Sequence, residues 1–174
     1  ISCRLMFDLL KTAGADRIMS VDLHAAQSQG FFDGPVDHLI AMPVLVDYIR
    51  DRFSNQLDNV AVVSPDAGRI RVAEQWAQRL GGGPLAFVHK TRDITRPNQA
   101  VANRVVGDVE GKDCVLVDDL IDTAGTIAGA CSVLKDAGAK SVTVVATHGV
   151  LSGPAVERLK NSGAREVVLT DTVP

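Results

Sequence analysis

Residues 114–126 read CVLVDDLIDTAGT, and this stretch decides both the fold class and the candidate site. Its four leading apolar residues are typical of a buried strand in a parallel sheet. Two adjacent carboxylates, Asp118 and Asp119, follow that run, and open parallel sheets bind their ligands at this end of the strands. The stretch therefore predicts a strand, a binding loop and the start of a helix.

The small residues that open the predicted helix favour an anion. A loop without bulky side chains offers free backbone N–H groups, hydroxyl donors and the positive end of the helix dipole. An ionised carboxylate only accepts hydrogen bonds, so the acidic pair suits the vicinal hydroxyls of a sugar. The GxxxxGK[ST] pattern of nucleotide P-loops is absent, which points to a sugar phosphate. The alternative is a plain strand end followed by a plain helix cap. The residues of the site predicted in this way are Asp118, Asp119, Thr123, Ala124, Gly125 and Thr126.

Strand and helix patterns alternate along most of the chain. Runs rich in β-branched residues predict strands at 17–22, 59–64, 85–89, 114–118, 141–147 and 166–170. Helical periodicity predicts helices at 3–12, 44–53, 70–80, 126–136 and 154–161. This alternation predicts an α/β fold with a mainly parallel sheet flanked by helices.

The alternation stops between residues 29 and 43, where glycine and proline are frequent. We interpret this break as the end of one domain. Residues 1–43 are then the last part of a preceding domain, and residues 44–174 form most of a second one, since both ends of the chain look cut.

Composition excludes several classes of protein. With 18 basic and 21 acidic side chains, the net charge is −3, which disfavours a general nucleic-acid or anionic-membrane binder. No apolar run approaches the ~20 residues that cross a bilayer, and no signal peptide heads the chain. Three scattered cysteines fit a reducing compartment, so we expect a cytoplasmic protein without disulfides.

Charge is unevenly distributed along the sequence. Residues 68–104 carry seven basic and two acidic side chains, whereas residues 108–122 carry six acidic side chains and one lysine. A positive stretch beside a negative one suits a phosphate ester bound together with a divalent cation. Two solvated faces of opposite charge are the alternative.

Residues 117–126 resemble the phosphoribosyl diphosphate (PRPP) binding motif that type I phosphoribosyltransferases share with the ribose-phosphate pyrophosphokinase family. Further stretches resemble the pyrophosphokinase family in its own order, and together they span essentially the whole chain. These stretches are 21–25 (VDLHA), 29–33 (QGFFD), 63–66 (VSPD), 89–92 (HKTR), 147–148 (TH) and 151–155 (LSGPA).

This resemblance implies a type I phosphoribosyltransferase-like fold and the transfer of diphosphate from ATP to the C1 hydroxyl of ribose 5-phosphate, giving PRPP and AMP. Residues 122–126 match the positions that hold the 5-phosphate, and Asp118 and Asp119 match those that hold the ribose hydroxyls. His24 and Asp66 match the residues that position the Mg²⁺ of MgATP. Lys90 and Arg92 match the cationic pair of the mobile catalytic loop, and residues 91–103 independently predict a loop or a ragged hairpin.

The resemblance further implies a homo-oligomer built from dimers, up to a hexamer. Two other functions stay open: a type I phosphoribosyltransferase that consumes PRPP, and a non-catalytic regulatory relative. One departure concerns the loop after Asp66, where Gly68 is followed by Arg69 instead of a second glycine. An arginine there either adds a charge contact or blocks the close approach of diphosphate.

Overall fold

In the computed structural model, residues 2–54, 56–91 and 102–173 are described, with the backbone alone at residues 90, 91, 102 and 103. The chain divides into two units, Ile1–Pro43 and Val44–Pro174. The division coincides with the boundary placed after Pro43 from the sequence. It falls in the first turn of helix α2 (Met42–Arg52). That the first unit is the tail of a preceding domain stays a prediction.

The described part of the first unit contains one complete α-helix, a 3₁₀ helix at Ala26–Phe31 and two short strands. Helix α1 (Ser2–Thr12) precedes strand β1 (Ile18–Val21), which pairs in parallel with strand β2 (Val36–Leu39). Strand β2 was not predicted, because half of its four residues are polar and it lacks the apolar alternation that indicates a strand. One of them, Asp37, accepts a hydrogen bond of 2.9 Å from Arg17 Nη2.

The second unit is a six-stranded sheet in the order β5-β4-β3-β6-β7-β8. All neighbouring strands run parallel except β4 and β5, so the mainly parallel sheet is confirmed. Its elements after α2 are β3 (Val60–Ser64), α3 (Ile70–Arg79), β4 (Leu85–Thr91), β5 (Ala102–Val106), β6 (Asp113–Ile121), α4 (Gly125–Asp136), β7 (Ser141–Gly149), α5 (Ala155–Asn161) and β8 (Glu166–Leu169).

Strand β6 lies at the centre of this sheet, between β3 and β7. The five residues of β3 and the first five of β6 are buried, as are six consecutive residues of β7. Continuous burial explains why these strands read as unbroken apolar runs, since helices cover both faces of a parallel sheet. Each fully buried Val or Leu contributes about 1.5–3 kcal/mol.

Two strands differ from the prediction. Strand β6 runs through Ile121, three residues beyond its predicted end at Asp118. Strand β5 was not predicted as a strand, but it pairs antiparallel with β4, for example Lys90 with Asn103. The two strands are the arms of the hairpin that residues 91–103 allowed. The segment that joins them lies outside the described residues.

A search of the described helices finds none that is both long enough and apolar enough to cross a membrane.

Candidate functional site

The acidic pair lies on the part of β6 that extends beyond the end of its neighbour β3. Pairing between β3 and β6 ends at Val63 and Leu116, whereas β6 stays paired with β7 as far as Ile121. Asp118 and Asp119 therefore lie on a part of β6 that has β7 on one side and the end of β3 on the other. Both side chains are partly exposed as a result.

The turn that leaves β6 is short and strained. Residues 122–124 connect the last strand residue, Ile121, to the first helical residue, Gly125. Ala124 adopts the left-handed conformation, with φ 58° and ψ 11°, although it is not a glycine. Such a conformation costs about 1 kcal/mol or more and persists where the surroundings enforce it. We call residues 122–126 the phosphate turn.

Three successive carbonyl groups, those of residues 121–123, accept hydrogen bonds from one later segment of the chain. The backbone N–H groups of Leu151 and Ser152 donate to the carbonyls of Ile121 and Asp122, each at 3.0 Å. The carbonyl of Thr123 accepts a hydrogen bond of 3.0 Å from Arg158 Nη1. All three donors belong to the segment that follows β7. This segment therefore fixes the orientation of three consecutive peptide planes.

The orientation of these carbonyls determines where the amides point. In a trans peptide the N–H points away from the C=O, so the N–H groups that follow these carbonyls face the opposite side. A cavity of about 160 Å³ is lined by Asp118 and residues 120–127, whereas the three donors Leu151, Ser152 and Arg158 do not line it. The side chain before α4, that of Ala124, provides no cap, and the first amides of a helix have no partner within it. Free amides at a helix N-terminus suit an anion, and the binding role predicted for these residues stays a prediction.

The two carboxylates differ in environment. Burial and a hydrogen bond with Asp119 raise the pKa of Asp118 to about 7. Oδ1 of Asp118 accepts from the backbone N–H of Asp119 at 2.9 Å. Asp119 in turn accepts from the N–H of Leu120 at 3.0 Å. The Asp118 carboxyl therefore takes up a proton at a higher pH than an ordinary aspartate does.

Arg69 supplies a positive charge next to the acidic pair. Its guanidinium forms an ion pair with Asp119, and the exposed fractions of the two side chains are 19% and 10%. The arginine is the last residue of a 3₁₀ turn, Ala67–Arg69, that comes after β3. Its partner here is a carboxylate of the protein itself, and both possibilities for its effect on diphosphate binding stay predictions.

Asp66 lies at the start of the same turn. One of its carboxylate oxygens accepts from the N–H of Gly68 at 2.8 Å, and its own carbonyl accepts from Ser64 Oγ at 2.6 Å. A carboxylate has a second oxygen, so Asp66 can cap the turn and still offer a ligand to a hard cation. Its predicted role in magnesium binding stays a prediction.

His24 belongs to the first unit. It follows β1 and is exposed, and the backbone beside it is fixed by two hydrogen bonds. The N–H of Leu23 donates to His38 Nε2 at 2.9 Å, and the N–H of Ala41 donates to Asp22 Oδ2 at 3.1 Å. Within the described ranges no three His, Cys, Asp or Glu side chains are grouped so that they could hold a metal ion. The magnesium role of His24 stays a prediction.

The two predicted catalytic cations cannot be placed. Lys90 is the sixth residue of β4, of which only the backbone is described at this position. Arg92 lies outside the described residues. Their roles stay predictions.

Sequence reasoning missed the residues behind the phosphate turn. Residues 151–155 were noted for their family resemblance, but nothing in them indicates that two of their amides hold the turn from behind. Arg158 sits on an exposed face of α5 and reads as an ordinary surface cation. Only the three-dimensional proximity of α5 to the turn shows its contact.

The sequence of this chain is similar to a known family model and to known proteins. Residues 93–174 match the family model of the phosphoribosyl synthetase-associated domain. All 174 residues align at 95% identity with a ribose-phosphate pyrophosphokinase of Bifidobacterium longum and cover 51% of that protein. Over its whole length, the chain is related to the ribose-phosphate pyrophosphokinases. It spans about half the length of the curated relatives it matches.

Solved structures agree with this relationship. The crystal structure of phosphoribosylpyrophosphate synthetase from Mycobacterium smegmatis superimposes with a TM-score of 0.90 at 60% identity, covering 99% of this chain and 54% of that one. Orotate phosphoribosyltransferase from Aeropyrum pernix gives a TM-score of 0.55 at 28% identity, covering 74% of this chain and 70% of that one. The fold is therefore of the type I phosphoribosyltransferase kind.

Proposed function

We propose that the protein to which this chain belongs is a ribose-phosphate diphosphokinase. It transfers the diphosphate of ATP to the C1 hydroxyl of ribose 5-phosphate and releases PRPP and AMP. The observation that carries the proposal is the phosphate turn: the carbonyls of residues 121–123 accept from Leu151, Ser152 and Arg158, and the residues of the turn line a cavity together with Asp118. The relationship to ribose-phosphate pyrophosphokinases along all 174 residues supports it.

In this proposal the phosphate turn binds the 5-phosphate of the sugar. The amides at the start of α4 and the hydroxyls of Thr123 and Thr126 donate to the phosphate oxygens. Asp118 and Asp119 accept hydrogen bonds from the ribose hydroxyls. The phosphate and the hydroxyls are thus held at two points, which orients the C1 hydroxyl for reaction.

The reaction moves a diphosphoryl group without a covalent enzyme intermediate. The C1 oxygen of the sugar bonds to the β-phosphorus of ATP, the bond from that phosphorus to the α,β-bridging oxygen breaks, and the C1 hydroxyl loses its proton. Negative charge gathers on the bridging oxygen that leaves with AMP. Lys90 and Arg92 would stabilise this charge electrostatically.

Magnesium belongs to the same proposal. Mg²⁺ binds proteins through one or two carboxylates together with substrate phosphates, and the second carboxylate oxygen of Asp66 fits that role. On the family resemblance, His24 is proposed as a further residue that positions the ion. When bound, the ion lowers the repulsion between the two anionic substrates.

We extend the proposal to a cytoplasmic homo-oligomer on the basis of the family resemblance. Size-exclusion chromatography with light scattering of the full-length protein tests it. A particle of at least two subunits is expected, and a monomer at micromolar concentration contradicts this part.

The test of the function is AMP release from ATP and ribose 5-phosphate by the full-length protein, followed with a coupled assay. Lys90→Ala is expected to lower kcat about 10²-fold or more while leaving ribose 5-phosphate binding intact. Lys160→Ala removes the same charge from exposed helix α5 and serves as the control, with unchanged kcat. Turnover of PRPP with a nitrogenous base, and none with ATP, would instead identify a phosphoribosyltransferase. Absence of both reactions would identify a regulatory relative.

A further inference from the structure

We propose that Arg158 is a positioning residue for sugar-phosphate binding. It fixes the peptide between Thr123 and Ala124, so that the Ala124 amide faces the ligand, and it places a positive charge behind the phosphate turn. This inference rests on the proposed function, because it concerns the same phosphate site.

The hydrogen bond from Arg158 acts on a peptide plane that the backbone alone would not favour. Arg158 Nη1 donates to the Thr123 carbonyl at 3.0 Å. The next residue, Ala124, is in the left-handed region at φ 58°, where a non-glycine residue is strained. An external partner that holds the Thr123 carbonyl therefore helps to keep this strained peptide in the orientation that presents its amide.

Arg158 differs in kind from the other two donors behind the turn. The Ile121 and Asp122 carbonyls accept from the backbone amides of Leu151 and Ser152, which side-chain substitution does not remove. The third contact comes from a side chain. Substitution of Arg158 thus removes one of the three supports while the other two continue to hold the turn.

The guanidinium also lies close to the first residue of α4. A Cβ atom built on Gly125 would be 3.6 Å from Arg158 Nη1 and 3.9 Å from Thr123 Oγ1. The positive charge is therefore within a few ångströms of the helix N-terminus, where an anion is favoured already. Charge and dipole act in the same direction on a bound phosphate.

Helix α5 is anchored well enough to position this side chain. Ala155, its first residue, is fully buried, and Leu159 packs against the core of the sheet. The N–H of Arg158 itself donates to the Pro154 carbonyl at 2.9 Å. The backbone of Arg158 is thereby fixed next to the turn even though its side chain is exposed.

The experiment measures ribose 5-phosphate binding to the full-length protein by calorimetry, together with KM and kcat for AMP release. Arg158→Ala is expected to weaken binding and raise KM for ribose 5-phosphate about tenfold, the effect of one lost charged hydrogen bond, with kcat at saturating sugar changed less than twofold. Arg158→Lys keeps the charge and a donor, so it is expected to recover most of the affinity. Lys160→Ala, on the same helix, is expected to bind as wild type.

The outcomes separate this inference from the proposed function. If wild-type protein binds no ribose 5-phosphate, the proposed function fails and the inference fails with it. If wild type binds and Arg158→Ala binds equally well, the inference alone is wrong. An equal loss in Lys160→Ala, or a fall in kcat without a change in KM, also contradicts it. If the melting temperature of Arg158→Ala is far below that of wild type, the same binding and kinetic measurements on Arg158→Gln decide the question by the same criteria.

Discussion

Asp118 and Asp119 are neighbours in sequence, yet their environments differ. Asp119 forms an ion pair with Arg69, whereas burial, followed by a hydrogen bond with Asp119, raises the pKa of Asp118 to about 7. This raised pKa is a consequence of the fold. Because an isolated aspartate has a pKa near 3.9, this group makes stability depend on pH.

Asp118→Asn is expected to stabilise the protein at alkaline pH. The pKa of Asp118 is higher in the folded state than in the unfolded state, so its contribution to stability is lost as pH rises from about 4 to about 7. Asparagine has no such proton to lose. We expect the free energy of unfolding of the Asp118→Asn variant at pH 8 to exceed that of wild type by about 1–3 kcal/mol. The difference should shrink toward pH 4.

Urea denaturation at pH 5 and pH 8 checks this prediction. Asp108→Asn, which replaces an exposed aspartate, is the control and should change stability by less than about 0.5 kcal/mol. A gain in Asp118→Asn that is larger at pH 5 than at pH 8 would show that the sign is wrong.

Asp113 shows the opposite behaviour at the other end of the same strand. Burial would raise its pKa, but hydrogen bonds from Lys140, Ser141 and Asn59 and the charge of Lys140 lower it. The carboxylate is 1% exposed and accepts from Lys140 Nζ at 2.8 Å and from Ser141 Oγ at 2.6 Å. Ionised Asp113 therefore joins the starts of β6 and β7.

Asp113→Asn is expected to destabilise the protein at pH 7 by about 1–2 kcal/mol, because the solvent-exposed Lys140 screens part of the charge contact. The pKa of Asp113 is depressed by folding, so this stability is present above about pH 4 and is lost as pH falls through the folded-state value. Thermal melts from pH 3 to 7 should show the two proteins converging at the acid end. A constant difference across that range would contradict the assignment.

At the scale of elements, one glycine controls how the chain leaves β5. Gly107 has φ +117°, and a Cβ atom there would lie 2.6 Å from the Leu85 carbonyl oxygen and 2.7 Å from Ala86 Cα. The neighbours are backbone atoms of β4, which cannot move away without breaking the sheet. Glycine is therefore required at the edge of the sheet both for conformation and for space.

Gly107→Ala is expected to destabilise the protein by about 3 kcal/mol or more, since strain and overlap add. Gly81 has nearly the same φ, +115°, but a Cβ atom there would meet nothing within 4 Å, so Gly81→Ala isolates the strain and should cost about 1 kcal/mol. Chemical denaturation of both variants gives the comparison. Equal losses would show that space around Gly107 does not matter.

The elements also show what sequence can and cannot predict. Strands β3, β6 and β7 were predictable because burial on both faces leaves an unbroken apolar run. Strands β2 and β5 were not, because polar residues interrupt each of them and neither contains an unbroken apolar run of its full length. The composition of the phosphate turn could be read from residues 122–126. Its support by Arg158 could not, because the contact joins residues 35 positions apart.

At the scale of the whole molecule, this chain spans about half the length of the relatives it matches. It contains the residues proposed to bind ribose 5-phosphate. On the family resemblance, we expect adenine recognition from parts of those relatives that do not align with this chain. We therefore expect the 174 residues made alone to bind the sugar but not to transfer the diphosphoryl group.

A polypeptide of these 174 residues is expected to release AMP at less than about 1% of the full-length rate, because ATP would not be held in place against the sugar. The coupled AMP assay on equal molar amounts of both proteins measures this. A rate comparable to that of the full-length protein would contradict the division of roles.

The central claim is that backbone amides of the phosphate turn bind the phosphate of ribose 5-phosphate. A crystal structure of the full-length protein with ribose 5-phosphate tests it most directly. We predict phosphate oxygens within about 3.2 Å of the amide nitrogens of residues 123–126, with the carbonyls of residues 121–123 still held by Leu151, Ser152 and Arg158. A phosphate bound away from the turn, or a turn whose carbonyls point into the cavity, would contradict the account.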